Sequence, residues 1–290
     1  MHRTVYVLAL LFLFSPAASA HSGNIVVTPP EITQGEPALI VVEGIDIRDI
    51  RKLTFGGKPV PVFLFEGEPT ALIAIDLAAR TGVAEIVVES KDGDKVRALA
   101  RILPRLRIVA PMGIPDKMGG NTRAGANNLV HAIVNENRYL SAVAARETPR
   151  FEERFRFPLA AVEVTDDFGY SRKTGTYTIN HRGTDFRAAT GTPIYALNDG
   201  VVRVSGNFIA YGKTVVIDHG SRVMSYSLHL NRVLVREGEM VKKGGVIGLS
   251  GDTGYALEPH LHLSIKINGT SVDPMKFFAL LGEKETVGER

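Results

Sequence analysis

The 290-residue chain contains no cysteine. Disulfides are therefore excluded, and so is every thiolate metal site. Any metal this chain takes must sit on imidazole and carboxylate. An excess of one charge is lacking as well: 34 Lys and Arg face 31 Asp and Glu, a formal net charge of +3. That balance gives no argument for a nucleic-acid partner, although a mildly basic surface tolerates an anionic polymer. After the first segment no stretch is long and apolar enough to span a bilayer. The helical H-E-x-x-H pattern of many zinc proteases is missing too.

What is present begins with a leader. Met1-His2-Arg3 is a short positive segment, Val5 to Phe14 is an unbroken apolar run, and Ala18-Ser19-Ala20 has the small residues of a cleavage site. Together they predict a secretory signal peptide over residues 1–20. The apolar run is too short for a permanent anchor. With no cysteine after the cleavage site, lipid attachment there is excluded. An exported protein beginning near His21 is expected, without stable membrane insertion once the leader is removed.

Residues 21–105 read as short β-branched segments separated by turn residues. NIVVT, ALIVVE, KLTF, VPVFLF, TALIAID, AEIVVE and KVRALARI alternate with PPEITQGEP, FGGKP, EGEP and SKDGD. About seven strands in this length predict an immunoglobulin-like β-sandwich. It holds no cluster of His, Asp or Cys, so a spacer or binding module is expected. Residues 106–155 change character and predict a linker with one helix, its apolar face formed by Leu129, Ile133, Val134, Leu140 and Val143. His131, on or beside that face, reads as a packed or surface histidine. Strand patterns return over 156–281 with glycine-rich turns, predicting a small antiparallel β-domain. Residues 282–290 form a charged tail expected to fray. The chain as a whole is expected to be mainly β.

Four of the eight histidines fall in three short segments of that last domain. His260 and His262 in PHLHL are two apart, so a strand points both to one face. They can serve as two ligands, or as one ligand beside one proton-transfer group. His181 and Asp185 in HRGTD are brought together if the chain loops at Gly183. His229 ends the strand RVMSYSLHL, where alternation sets Ser225, Ser227 and His229 on one face. His219, in the turn IDHGS, is expected to be structural or solvated. Without the Glu of H-E-x-x-H, a histidine is the group able to take a proton near neutral pH.

FGYSR, HRGTDFRAATGTPIYALNDGVV, YGKTVVIDHG, SLHLNRV, GEMVKKGGVIGLSGDTG and PHLHL occur in that order. In this the segment from about Phe157 to Phe278 resembles the catalytic domain of the lysostaphin/LytM-type zinc metalloendopeptidases, which cut peptide cross-links of bacterial peptidoglycan. The resemblance implies a Zn²⁺ ion on His181, Asp185 and His262, with His229 and His260 as two catalytic histidines that are not ligands. It also implies peptidoglycan peptide stems as partner, a periplasmic or extracellular location at the cell envelope, and a small antiparallel β fold with a groove. GEMVKKGGVIG further resembles a hairpin of the biotinyl and lipoyl barrel-sandwich. The chain departs from the family at Leu263 and Ser264, where an aromatic residue and Glu are usual, at Glu258, and at Ser227. Two other functions are weighed. One is a non-catalytic member of the fold that binds the wall and activates another hydrolase, which typically lacks one or more of these five residues. The other is a carrier module, which has no use for His181 or His260. The 106–155 helix could also hold Asn127 or His131 over the metal and keep an enzyme latent, although simple tethering is preferred.

Overall fold

The computed structural model describes residues 23–143, 145, 151, 153–174 and 176–283. The expected leader lies outside the described residues, as does the expected tail after Glu283.

Apolar alternation builds the N-terminal part. Along Gly82–Ser90 the buried positions are Ala84, Ile86, Val88 and Ser90, so every second side chain faces inward. Two sheets result. One runs Asn24–Thr28, Pro37–Glu43, Glu68–Ala74, Phe63–Phe65; the other runs Glu31–Thr33, Lys95–Leu103, Gly82–Ser90, Ile50–Phe55, Lys58–Val60. Ile40, Val42 and Ile73 of the first meet Ile32, Leu53, Ile86 and Val88 of the second in one core, a β-sandwich. The segment VPVFLF is not a single strand. Pro61 lies between Lys58–Val60 and Phe63–Phe65, and the two pieces join different sheets. Glu31–Thr33, expected as turn, pairs in parallel with the end of Lys95–Leu103.

The C-terminal part is organised on an eight-stranded sheet. Its order is Val164–Asp166, Thr184–Arg187, His260–Ile267, Val223–Leu230, Gly212–Gly220, Gly200–Phe208, Met240–Val241, with Thr270–Val272 paired to His260–Ile267. Neighbours on this path are antiparallel. The short edge strands Val164–Asp166 and Met240–Val241 do not pair with each other. Among the described residues the sheet therefore stays open, and the expected mainly β class with a small antiparallel C-terminal domain holds. On one face Leu261, Leu263, Ile265 and Ile267 enter a core with Phe186, Val215 and Ile217. The alternate residues of the same strand are left on the opposite face, toward a groove.

The segment between these two parts is built into both. Phe151 and Phe155 are fully buried, and each stabilises the fold by about 2–3 kcal/mol on area grounds. Phe63 of the sandwich packs edge-on against Phe151, and Phe155 packs on Phe277. Arg105 ties the sandwich to the sheet by donating to the Gln34 carbonyl at 2.7 Å, the Phe168 carbonyl at 3.2 Å and Asp273 at 3.2 Å. The helix is Arg123–Ser141, begun by Thr122, whose hydroxyl accepts from the Gly125 amide at 3.0 Å. Its buried face is Ala126, Leu129, Ala132, Glu136 and Leu140. Val134, expected on that face, is 50% exposed.

Candidate metal centre

Register brings the acid and one histidine together. Asp185 lies directly opposite His262 on the neighbouring strand, so their side chains share one face at cross-strand distance. HRGTD is a loop only as far as Gly183; Thr184 starts the strand that carries Asp185. His181 enters from that loop, fixed by two backbone bonds to the chain before it: its amide donates to the Tyr170 carbonyl and its carbonyl accepts from the Gly169 amide. His181, Asp185 and His262 are the buried metal-capable cluster among the described residues. Asp185 Oδ1 is 3.0 Å from His181 Nε2 and 2.8 Å from His262 Nδ1, and the two nitrogens are 3.1 Å apart.

The surrounding bonds fix where the protons are. His181 Nδ1 is 2.8 Å from the Asp167 carbonyl oxygen. A carbonyl only accepts, so Nδ1 carries the proton and Nε2 presents a lone pair. Ser264 Oγ donates to the Arg182 carbonyl at 2.8 Å, which uses its one proton. It must then accept from His262 Nε2 at 3.0 Å, leaving His262 Nδ1 bare. Asp185 Oδ2 accepts from Arg172 at 2.5 Å, which leaves Oδ1 facing the imidazoles. Three lone pairs thus converge with no proton between them. A cation satisfies all three, and the donor set fits a metal ion. Burial would raise the Asp185 carboxyl, but hydrogen bonding and charge from His181 and His262, in the state where they carry a proton toward it, hold it well below the usual carboxylate range, and a cation among the three lone pairs acts in the same direction. Burial pushes His262 down to about 4, so it is neutral at pH 7.

His229 and His260 stand beside this cluster. Their ring centroids are 4.9 Å apart, and His229 is 5.8 Å from His262. His229 Nδ1 is 2.8 Å from the Thr253 carbonyl and His260 Nδ1 is 2.8 Å from the Glu258 carbonyl. By the same rule each Nδ1 carries the proton and each Nε2 is free to accept one; that of His260 lies 3.7 Å from Asp185 Oδ1. Burial first, then repulsion from His260 and His262, lowers His229 well below the usual imidazole range.

His229 reaches the groove by breaking the strand's alternation. Tyr226 and Leu228 line the groove, whereas the Ser225 hydroxyl bonds to His219. The expectation that Ser225, Ser227 and His229 share a face is therefore corrected. The register slips between Lys213/Leu230 and Val215/Ser227, and His229 itself has φ +60°. This bulge, with a left-handed residue, turns the imidazole onto the face of its predecessor.

The groove encloses about 440 Å³. Its floor includes His181, His229 and His262, and one wall is the helix, through Ile133, Asn137 and Leu140. Glu136 holds that wall: its buried carboxylate accepts from the amides of Ile209 at 2.7 Å, Ala210 at 3.0 Å and Tyr211 at 3.1 Å. Neither Asn127 nor His131 covers the site. Asn127 accepts from the Tyr177 hydroxyl at 2.8 Å, and exposed His131 lines a separate cavity with Lys117 and Met118. His219 is fully buried, donating from Nδ1 to the Asp199 carbonyl at 2.9 Å and packing edge-on against Phe155. Sequence reasoning assigned no role to Arg172, Ser264 or Glu136. Arg172 enters there only within the motif FGYSR, and Ser264 only as a departure from the family pattern.

Residues 179–274 match the model of Peptidase family M23. Over 96 residues the chain is 46% identical to the peptidoglycan DD-endopeptidase ShyA of Vibrio cholerae, covering 33% of this chain and 22% of that protein. It is 35% identical over 172 residues to the peptidoglycan DD-endopeptidase ShyC of the same organism, covering 55% of this chain and 40% of that one. The chain thus spans between about a fifth and two-fifths of the length of these curated relatives. A crystal structure from Pseudomonas aeruginosa, provisionally named a peptidase M23, superposes with a TM-score of 0.61 at 25% identity, covering 87% of this chain and 96% of that one.

Proposed function

We propose that this chain, which carries a peptidase family M23 domain, is an exported zinc metalloendopeptidase that hydrolyses peptide cross-links of peptidoglycan. The observation that carries the reading is the convergence of His181 Nε2, Asp185 Oδ1 and His262 Nδ1 within 3.1 Å, beside two further imidazoles, His229 in the groove and His260 next to it. His181, Asp185 and His262 would hold the ion; two imidazoles and a carboxylate, with no thiolate, are a set that zinc takes in hydrolytic sites. Bound there, zinc polarises the scissile carbonyl and makes a water nucleophilic near neutral pH.

This chain's own residues do the rest. The attacking water must lose a proton, and His229 and His260 each present a bare Nε2 on the same side of the cluster. Their Nδ1 protons are held by the carbonyls of Thr253 and Glu258, so neither ring turns away and the same nitrogen can take a proton and return it. Returned to the departing amine, that proton completes amide hydrolysis. Arg172 keeps Asp185 ionised and aimed, and itself bridges to Asp166 at 2.5 Å. Relatives named as DD-endopeptidases point to the peptidoglycan stem as substrate, and the expected leader to the envelope as location. A non-catalytic regulator has no need of this complete set.

Purified protein assayed for metal and incubated with defined cross-linked muropeptides tests the reading. About one zinc per chain and products of one cleaved amide are expected. Alanine at His181, Asp185 or His262 should abolish both. Alanine at His229 or His260 should keep zinc and lower turnover by roughly 10²–10⁴. His262→Ala protein that hydrolyses at the normal rate would sink it.

A further inference from the structure

The strand His260–Ile267 places four side chains in a row on its groove face: His260, His262, Ser264 and Lys266. The first three belong to the centre described above. Lys266 does not. Its side chain is half-buried and lines the groove, with the ammonium 4.7 Å from the centroid of Tyr226. Among the described residues, it has no carboxylate ion pair. Its charged neighbour is Arg182, which also lines the groove. Among the described residues Arg182 in turn pairs with Asp76, at 3.4 Å and with both side chains nearly half exposed, a pair that contributes little.

Two cations therefore share a recess that, among the described residues, is lined by no carboxylate. An ammonium partly removed from water is costly without a partner, and one ring face offsets only part of that cost. Burial first, and then the charge of Arg182, shift Lys266 below the usual lysine range, which is the direction a shortage of anions gives. Arg172, the other cation on the groove, is already committed to Asp166 and Asp185.

We propose that Lys266, with Arg182 beside it, forms an anion-recognising end of the groove that takes a free carboxylate of the peptide substrate, away from the amide that is cut. Resting on the proposed peptidase reading, this names a specificity-determining residue. Four residues along a strand cover about 13 Å, the length of about four residues of an extended peptide. The recognised carboxylate thus belongs to a residue a few positions from the scissile bond. A peptide bearing a free main-chain or side-chain carboxylate there fits; its carboxamide does not.

The test is calorimetric binding of a short stem-type peptide with that carboxylate free, and of its carboxamide form, to the full chain and to the Lys266→Met and Lys266→Arg variants. The unsubstituted chain should bind the carboxylate form about tenfold more tightly, a preference that shrinks as salt rises. Lys266→Met should bind both forms alike, at the affinity of the carboxamide, and Lys266→Arg should restore most of the preference. With cross-linked substrate, Lys266→Met should raise KM and leave kcat unchanged. A Lys266 that only packs on Tyr226 would weaken both peptides equally. Equal binding of the two forms by the unsubstituted chain, no binding of either, or a preference kept in Lys266→Met overturns the proposal. Binding is read without turnover, so a chain that prefers the carboxylate yet cleaves nothing refutes the peptidase reading alone.

Discussion

Gly183 lies against the imidazole of His262. A methyl group on Gly183 would overlap His262 Nε2 and stand 2.5 Å from the Leu263 carbonyl oxygen. Gly183 is not among the left-handed residues, so the constraint is one of space. The loop that delivers His181 and the strand that carries His262 are packed to the limit a hydrogen atom allows.

Gly183→Ala should therefore disturb the metal centre more than the fold. The methyl group pushes the His262 ring off the Ser264 hydroxyl that orients it. If His262 holds zinc as proposed, zinc affinity should fall by about 10–100-fold, the usual effect of losing a partner of a ligand. Chelator competition measures it, and wild-type affinity in the variant would show that the contact does not position the ligand.

Ser264 is the companion test. Its hydroxyl links the His262 N–H to the Arg182 carbonyl, one bond on each side. Ser264→Ala leaves both unpaired and lets His262 adopt the tautomer that puts a proton on Nδ1. On the proposed zinc reading about a tenfold loss of zinc affinity is expected, with Ser264→Thr close to the unsubstituted chain. Equal affinities in all three proteins would remove the hydroxyl from the account.

Much of this centre was legible because it follows from period two. His260 and His262 had to share a face if PHLHL were a strand, and the apolar residues between them had to enter the core. The five residues that the resemblance implies lie close together in the fold, although the roles it gives them are a proposal. Alternation alone gives His229 the face of Ser225 and Ser227; the bulge opposite Val215 and the φ of +60°, which turn it to the groove, have no signature in SLHL. Glu136 could not be singled out from the sequence because its partners, the amides of residues 209–211, lie more than 70 positions away. The helix face was misjudged for the same reason: a buried acid shifted it off Val134. Arg172 and Asp185 are 13 apart in sequence and meet only when two loops close.

The Glu136 clasp predicts a coupled effect on stability and substrate binding. Its carboxylate takes the amides at the tip of the hairpin formed by Gly200–Phe208 and Gly212–Gly220, and so seats the helix that forms the groove wall. Glu136→Ala strands buried amides and should lower stability by about 1–3 kcal/mol in urea unfolding. Hydrogen exchange should rise at residues 209–211, and KM should rise more than kcat falls. Unchanged exchange there would mean that the wall is held by apolar packing alone.

His219 predicts an acid-sensitive fold that is independent of the metal. It is fully buried, and burial lowers it from 6.5 to about 4, its neutral ring donating to the Asp199 carbonyl and accepting from Ser225. The unfolded chain protonates this residue below about pH 6.5 while the folded chain does not, so unfolding takes up a proton. The stability given by the depressed value is complete above pH 6.5 and is lost as pH falls to about 4, a change of about 3 kcal/mol across that window. Urea unfolding of chelator-treated protein at pH 7 and pH 5 should show the loss. His219→Asn, although less stable at pH 7, should show a shallower pH dependence over the same range. If the slope is the same in both proteins, the acid sensitivity arises elsewhere and the buried imidazole is not its source.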